Sequence, residues 1–180
     1  TLPGSEKFDN VFTIRNAADI EKFRPLATPD RKVVIVGGGY IGLEAAAVLC
    51  SMGLEVTVIE AAKRVLERVT SEVMSAYMTQ LHTSRGVTIV ANTLVSELRG
   101  HGSVESVFCA DGSEYEADFV IAGIGVIPNV GLCEEAGLAT DRGALVDENA
   151  QTTDANIYAA GDCARHPSAL YRRPLLLASV

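Results

Sequence analysis

The sequence predicts an α/β fold, a parallel sheet with helices against it and an antiparallel meander inserted into it. Three observations predict this. Lys32-Val33-Val34-Ile35-Val36, Glu55-Val56-Thr57-Val58-Ile59 and Val87-Thr88-Ile89-Val90 are short β-branched runs, and the first is apolar almost throughout, as in a strand buried on both faces. The stretches between these runs carry helical signals. Residues 94–98, 103–109 and 113–117 are short and more polar, with a turn signal at Asp111-Gly112, and read as a meander.

Each element has its own reason. Residues 10–14 (Asn-Val-Phe-Thr-Ile) suit a short strand. Asn16 can cap a short helix with Asp19 and Glu21 in its early turns, ending before Pro25. Pro25, Pro29 and Asp30 then mark a linker. Residues 41–52 are rich in Ala and Leu and read as a helix stopped at Gly53. Thr70 or Ser71 can cap the next helix, with Glu72 in its first turn and Gly86 beyond its end. Val73, Met74, Tyr77 and Leu81 predict that helix's apolar face. Residues 119–122 return to buried-strand character. Residues 143–147 follow, and residues 157–160 read as a strand ending at Gly161. The expected division is a lead-in linker at 1–31, a nucleotide-binding domain at 32–150 and a return segment at 151–180.

Composition narrows the function. The chain has 180 residues and a net charge of −8, with no basic cluster, which argues against nucleic acid and against a polybasic membrane anchor. No apolar run is long enough to span a bilayer. The N-terminus has no initiator Met and no signal-peptide pattern, which suggests a processed or excised chain. Cys50, Cys109, Cys133 and Cys163 form no Cys-x-x-Cys pair, so the expectation is four reduced thiols in a cytoplasmic protein, with neither zinc nor a dithiol centre. His82, His101 and His166 are scattered and read as surface or incidental residues, so no metal site is expected. Neither G-x-S-x-G nor H-E-x-x-H occurs, and nothing suggests hydrolysis.

Gly37-Gly38-Gly39-Tyr40-Ile41-Gly42 matches G-x-G-x-x-G. The pattern alone is weak. Here it follows a strand, opens a helix and precedes by 18 residues an acid, Glu60, that closes the next strand. In that setting Gly37 permits a sharp turn, Gly39 admits a pyrophosphate to the backbone, and Gly42 lets helix and strand pack closely. The helix start at Tyr40 and Ile41 supplies free N–H groups to the phosphates. Glu60 can accept from the adenosine ribose hydroxyls and would repel a 2′-phosphate, which favours NAD(H) over NADP(H). Lys63 and Arg64 lie close enough to soften that preference. Gly123-Ile124-Gly125 ends the late strand and is either a second ligand-facing loop or a tight turn. Asp162, after Ala160-Gly161, is either a cap or a holder of a sugar or phosphate hydroxyl. Spacing leaves both open. The predicted fold is thus a Rossmann-like three-layer NAD-binding domain with an inserted antiparallel β-meander.

Three motifs in order extend this: residues 36–44 (Val-Gly-Gly-Gly-Tyr-Ile-Gly-Leu-Glu), residues 122–129 (Ala-Gly-Ile-Gly-Val-Ile-Pro-Asn), and Thr152-Thr153 with residues 157–162 (Ile-Tyr-Ala-Ala-Gly-Asp). Together they resemble the FAD-dependent pyridine nucleotide–disulfide oxidoreductases, above all the ferredoxin and rubredoxin reductases that serve oxygenases. The resemblance implies a parent enzyme in which NADH reduces FAD and the flavin passes single electrons to a ferredoxin or rubredoxin. It implies NAD contacts at Gly37, Gly38, Gly39, Tyr40, Ile41, Gly42, Glu60, Gly123 and Gly125. It also places Glu44 near the nicotinamide–flavin junction and Arg68 near the adenosine end. Arg15, Asp162 and Val180 match positions that touch FAD. The family is about twice as long, so the chain reads as its NAD(H)-binding part, catalytically incomplete by itself. The family usually has Arg and Glu where this chain has Leu176 and Ala178, and either loss removes polar contacts near the flavin or the domain interface. A stand-alone NAD(H)-binding module, or a coenzyme-A-disulfide, nitrite or monodehydroascorbate reductase, would share the central motifs.

Overall fold

The computed structural model of the chain describes residues 2, 4–125 and 127–176. It divides into two compact units, Thr1–Gly125 and Val126–Val180. In chain order the first unit contains β1 (Val11–Thr13), α1 (Ala17–Phe23), β2 (Lys32–Val36), α2 (Tyr40–Ser51), β3 (Glu55–Ile59), α3 (Glu72–Thr83), β4 (Thr88–Val90), β5 (Val95–His101), β6 (Ser103–Cys109), β7 (Glu114–Glu116) and β8 (Phe119–Ala122).

Five strands make a parallel sheet in the order β1-β8-β2-β3-β4. Strand alternation in β2 sorts its side chains between two faces. Val33 and Ile35 join Phe23 of α1 and Ala46 and Leu49 of α2, while Val34 and Val36 join Val104, Val107 and Cys109 of β6. Helices therefore cover one face, and the antiparallel meander β5-β6-β7 covers the other. This is the three-layer arrangement the β-branched runs predict. Phe12, Phe23 and Phe119 pack with ring centroids 5.7–6.4 Å apart and join β1, α1 and β8. Asn16 caps α1 by accepting from the Ala18 and Asp19 amides at 2.9 and 3.3 Å, and Ser71 caps α3 through the Met74 amide.

Asn10 binds the lead-in segment to β6 and to the residue that precedes β8. Its amide donates to the carbonyls of Val104 (2.9 Å) and Asp118 (2.7 Å), and its oxygen accepts from the Val104 amide at 2.6 Å. Asn10→Ala leaves that buried set of partners unmatched and should cost about 2–3 kcal/mol. Urea unfolding measures this, and a loss below about 0.5 kcal/mol would mean the clamp contributes nothing.

Residues 1–31 supply β1 and α1 to the first unit, as the sequence predicts, and the boundary between the compact units follows Gly125. Other expectations are corrected. The apolar face expected on α3 turns outward: Val73, Met74 and Tyr77 are 82, 48 and 58% exposed. Ser75 and His82 are buried instead, with Met78 packed against Leu43, Val65 and Leu66. The buried Ser75 hydroxyl donates to the Val65 carbonyl at 2.5 Å, which turns this side of the helix inward. His82 is thus no surface residue; burial above all, with Arg85 nearby, holds its imidazole below the usual pKa. Residues 157–160 form no strand, since pairing among the described residues stops at a single bridge between Gln151 and Tyr158.

The second unit contains α4 (Gly131–Glu135), β9 (Ala144–Leu145), β10 (Ala164–Ser168) and β11 (Arg173–Leu176). Its sheet runs β11-β10-β9, with β10 parallel to β9 and antiparallel to β11. Leu176 lies over Gly143, its Cδ1 atom 3.0 Å from where a side chain there would begin.

Candidate functional site

The sheet reverses direction beside β2: β3 lies on one side, and β8 returns to the other after the excursion through β4 and the meander. Such a switch point opens a crevice at the carboxyl ends of parallel strands. The two glycine loops leave β2 and β8 at this crevice. The Gly37 amide still donates to Ile59 O and the Gly123 amide to Val36 O, both at 2.8 Å, so each loop starts from a strand-like anchor.

The loops touch. A Cβ on Gly37 would lie 2.4 Å from the Gly123 carbonyl oxygen, and φ there is +111°. A Cβ on Gly42 would lie 2.1 Å from the Gly37 carbonyl oxygen, and one on Gly38 would lie 2.8 Å from Val65 Cγ1. The protein's own packing accounts for these three glycines. It does not account for Gly39, which has φ −79° and, among the described residues, no atom beyond its chain neighbours within 4 Å of its Cβ position. Gly39 is also the N-cap of α2, and no side chain caps that helix end. Tyr40, Ile41 and Gly42 therefore lead the helix with amides that have no partner one turn back, and their dipoles favour an anion.

Glu60 does more than spacing suggests. Its carboxylate accepts from the Gly38 amide at 2.6 Å and from the Ala62 amide at 2.7 Å. It thus staples the end of β3 to the glycine loop. Each oxygen keeps a lone pair for a further donor. Of the two cations expected to soften the NAD(H) preference, Lys63 is exposed, whereas Arg64 is committed to the carbonyls of Thr70 and Glu67, both at 3.1 Å. Arg68 is exposed, and its Nη2 lies 3.9 Å from the Cβ position of Gly125. It therefore reaches from the loop after β3 toward the loop after β8.

Glu44 is exposed on α2, one turn beyond Tyr40. Arg15 is held by Asp19, which accepts from its backbone amide at 3.1 Å and lies 3.5 Å from its Nε. A hydrogen bond from Lys22, outweighing the cost of burial, holds the Asp19 carboxyl below the usual carboxylate range. Asp162 sits in the 3-10 turn Gly161–Cys163 of the second unit. Val180 and Ala178 fall outside the described residues. Among the described residues no His/Cys/Asp/Glu group is arranged to hold a metal, and no helix is long and apolar enough to cross a membrane. The cysteines are free thiols, and Asp111 shapes its turn by accepting from Ser113. Sequence reasoning missed the contacts of Val65, Arg64 and Ser75, because all three act on backbone groups that no motif encodes.

A family model described as pyridine nucleotide-disulphide oxidoreductase matches residues 1–175. Putidaredoxin reductase of Pseudomonas putida is 43% identical over 177 residues, covering 97% of this chain and 42% of that protein. Rubredoxin-NAD(+) reductase of Ectopseudomonas oleovorans is 36% identical over 165 residues, covering 91% of this chain and 43% of that protein. The crystal structure of a covalent putidaredoxin reductase–putidaredoxin complex superimposes with a TM-score of 0.94 at 41% identity, covering 99% of this chain and 45% of that one. The chain thus spans about two fifths of the length of the curated relatives it matches.

Proposed function

Because the chain belongs to the pyridine nucleotide-disulphide oxidoreductase family, we propose that it is the NAD(H)-binding part of a FAD-dependent reductase. The parent protein, in this reading, carries electrons from NADH to a small iron–sulfur acceptor of the ferredoxin or rubredoxin kind, in the cytoplasm. The observation that supports it most is Gly39: a glycine for which the protein has no internal need, at an uncapped helix start, in the crevice of a switch point.

In this reading the pyrophosphate lies against Gly39 and the leading amides of α2. Glu60 orients the adenosine by accepting from the ribose hydroxyls through its remaining lone pairs. Gly123 and Gly125 let the nicotinamide half run close to the β8 loop. Glu44 stands at the reacting end. Bound FAD would supply the hydride-accepting and single-electron-releasing chemistry, which no side chain of this chain can supply. Arg15, exposed and anchored by Asp19, suits a phosphate of that cofactor.

Titrating NADH and NADPH into the purified chain tests the reading, with nicotinamide fluorescence as the signal. Saturable binding of NADH, tighter than NADPH, is expected, without flavin absorbance. Absence of saturable NADH binding overturns the reading. A yellow protein that oxidises NADH overturns the division of labour and makes this chain an enzyme by itself.

A further inference from the structure

We propose that Arg64 is a positioning residue that sets Arg68 for the nucleotide; the inference rests on the NAD(H) reading above. Arg64 is not a free cation beside Glu60. Its Nη2 donates to the Glu67 carbonyl and its Nη1 to the Thr70 carbonyl. The Glu67 carbonyl belongs to the peptide group whose nitrogen is that of Arg68, so the guanidinium grips the plane from which the Arg68 side chain departs. The Thr70 carbonyl belongs to the peptide that leads into Ser71, the cap of α3. The planar fork, with two donors at fixed spacing, brackets Arg68 on both sides in a way a single ammonium cannot.

The same loop is fixed to the glycine loop at its base. The Leu66 amide donates to the Gly38 carbonyl at 2.9 Å, and Val65 is fully buried, its Cγ1 filling the space beside Gly38. Arg64 carries that rigidity outward to Arg68. The exposed guanidinium of Arg68 is thereby presented toward Gly125, across the crevice mouth where a dinucleotide's negative charge would lie. Preorganisation of this kind raises affinity by removing the cost of ordering the side chain on binding.

A double-mutant cycle read by NADH titration tests this, with thermal unfolding to establish that each variant folds. Arg64→Ala should weaken NADH about 10-fold, and Arg68→Ala by a similar factor. In the Arg68→Ala background, Arg64→Ala should add less than about 2-fold, because the residue it acts through is already gone. Arg64→Lys, which keeps the charge but not the fork, should recover only part of the loss. Losses that multiply in the double variant would overturn the positioning role, as would full recovery by Arg64→Lys, which would make the charge itself sufficient. Wild-type protein that binds no NADH overturns the NAD(H) reading and this role with it. Wild-type binding with Arg64→Ala unaffected overturns this role alone.

Discussion

Gly39→Val should leave a folded protein that no longer binds NADH. Among the described residues the Cβ position of Gly39 meets no atom beyond its chain neighbours, and its φ is −79°, a value valine adopts. The expected cost to the fold is about 1 kcal/mol at most, that of a poor N-cap residue. The added side chain occupies the space through which a pyrophosphate reaches the α2 amides. Affinity should fall by about 100-fold or more, about 2.7 kcal/mol. Isothermal titration with NADH, paired with thermal unfolding, gives both numbers. Gly37→Ala is the informative contrast. There φ is +111° and the new methyl would meet the Gly123 carbonyl oxygen at 2.4 Å, so stability itself should drop. A folded Gly39→Val protein with unchanged NADH affinity would refute the loop assignment.

Glu60→Ala should damage both affinity and stability. The carboxylate is the acceptor for the Gly38 and Ala62 amides, and removing it leaves two part-buried donors to find water. The expected destabilisation is about 2 kcal/mol. NADH should bind more weakly while NADPH, relieved of a repelling charge, loses less, so the ratio between them narrows. Glu60→Gln separates the two effects, because its amide oxygen preserves one of the backbone bonds while the charge disappears. It should narrow the nucleotide ratio at a smaller stability cost. Parallel titrations and urea unfolding of the three proteins decide this, and an unchanged NADH to NADPH ratio in both variants would discard Glu60 as the residue that reads the ribose.

Much of the fold was legible because its signals are local. The β-branched runs, the glycines after them and the Asn16 and Ser71 caps each act within a few residues. The unread parts depend on distant partners. The inward side of α3 was misjudged because a hydroxyl, Ser75, seeks the Val65 carbonyl, and this outweighs the periodicity of Val73, Met74 and Tyr77. Residues 157–160 look like a strand by composition, but a strand needs a neighbour, and pairing is limited to one bridge. At the site, the glycine fingerprint and Glu60 were visible. Which glycine serves packing and which is free was not, since that depends on the Gly123 carbonyl and the Val65 side chain approaching from elsewhere in the chain. The grip of Arg64 on the Arg68 peptide was equally hidden: sequence shows a charge, and the structure shows what occupies it.

The position of β8 has a consequence for how the molecule comes into being. It is the last strand of its unit to be synthesised, yet it lies between β1 and β2, the first two. Val11 waits for Val120, and Val33 for Phe119. Such distant pairings delay folding, because loop closure precedes the contacts that reward it. Until β8 inserts, Gly37 has no Gly123 to rest against, and the crevice does not exist. In the proposed reading, completion of the fold and competence to hold a nucleotide would therefore be one event. A bound dinucleotide would accordingly hold the whole sheet closed, first strand to last, and not merely the loop it touches.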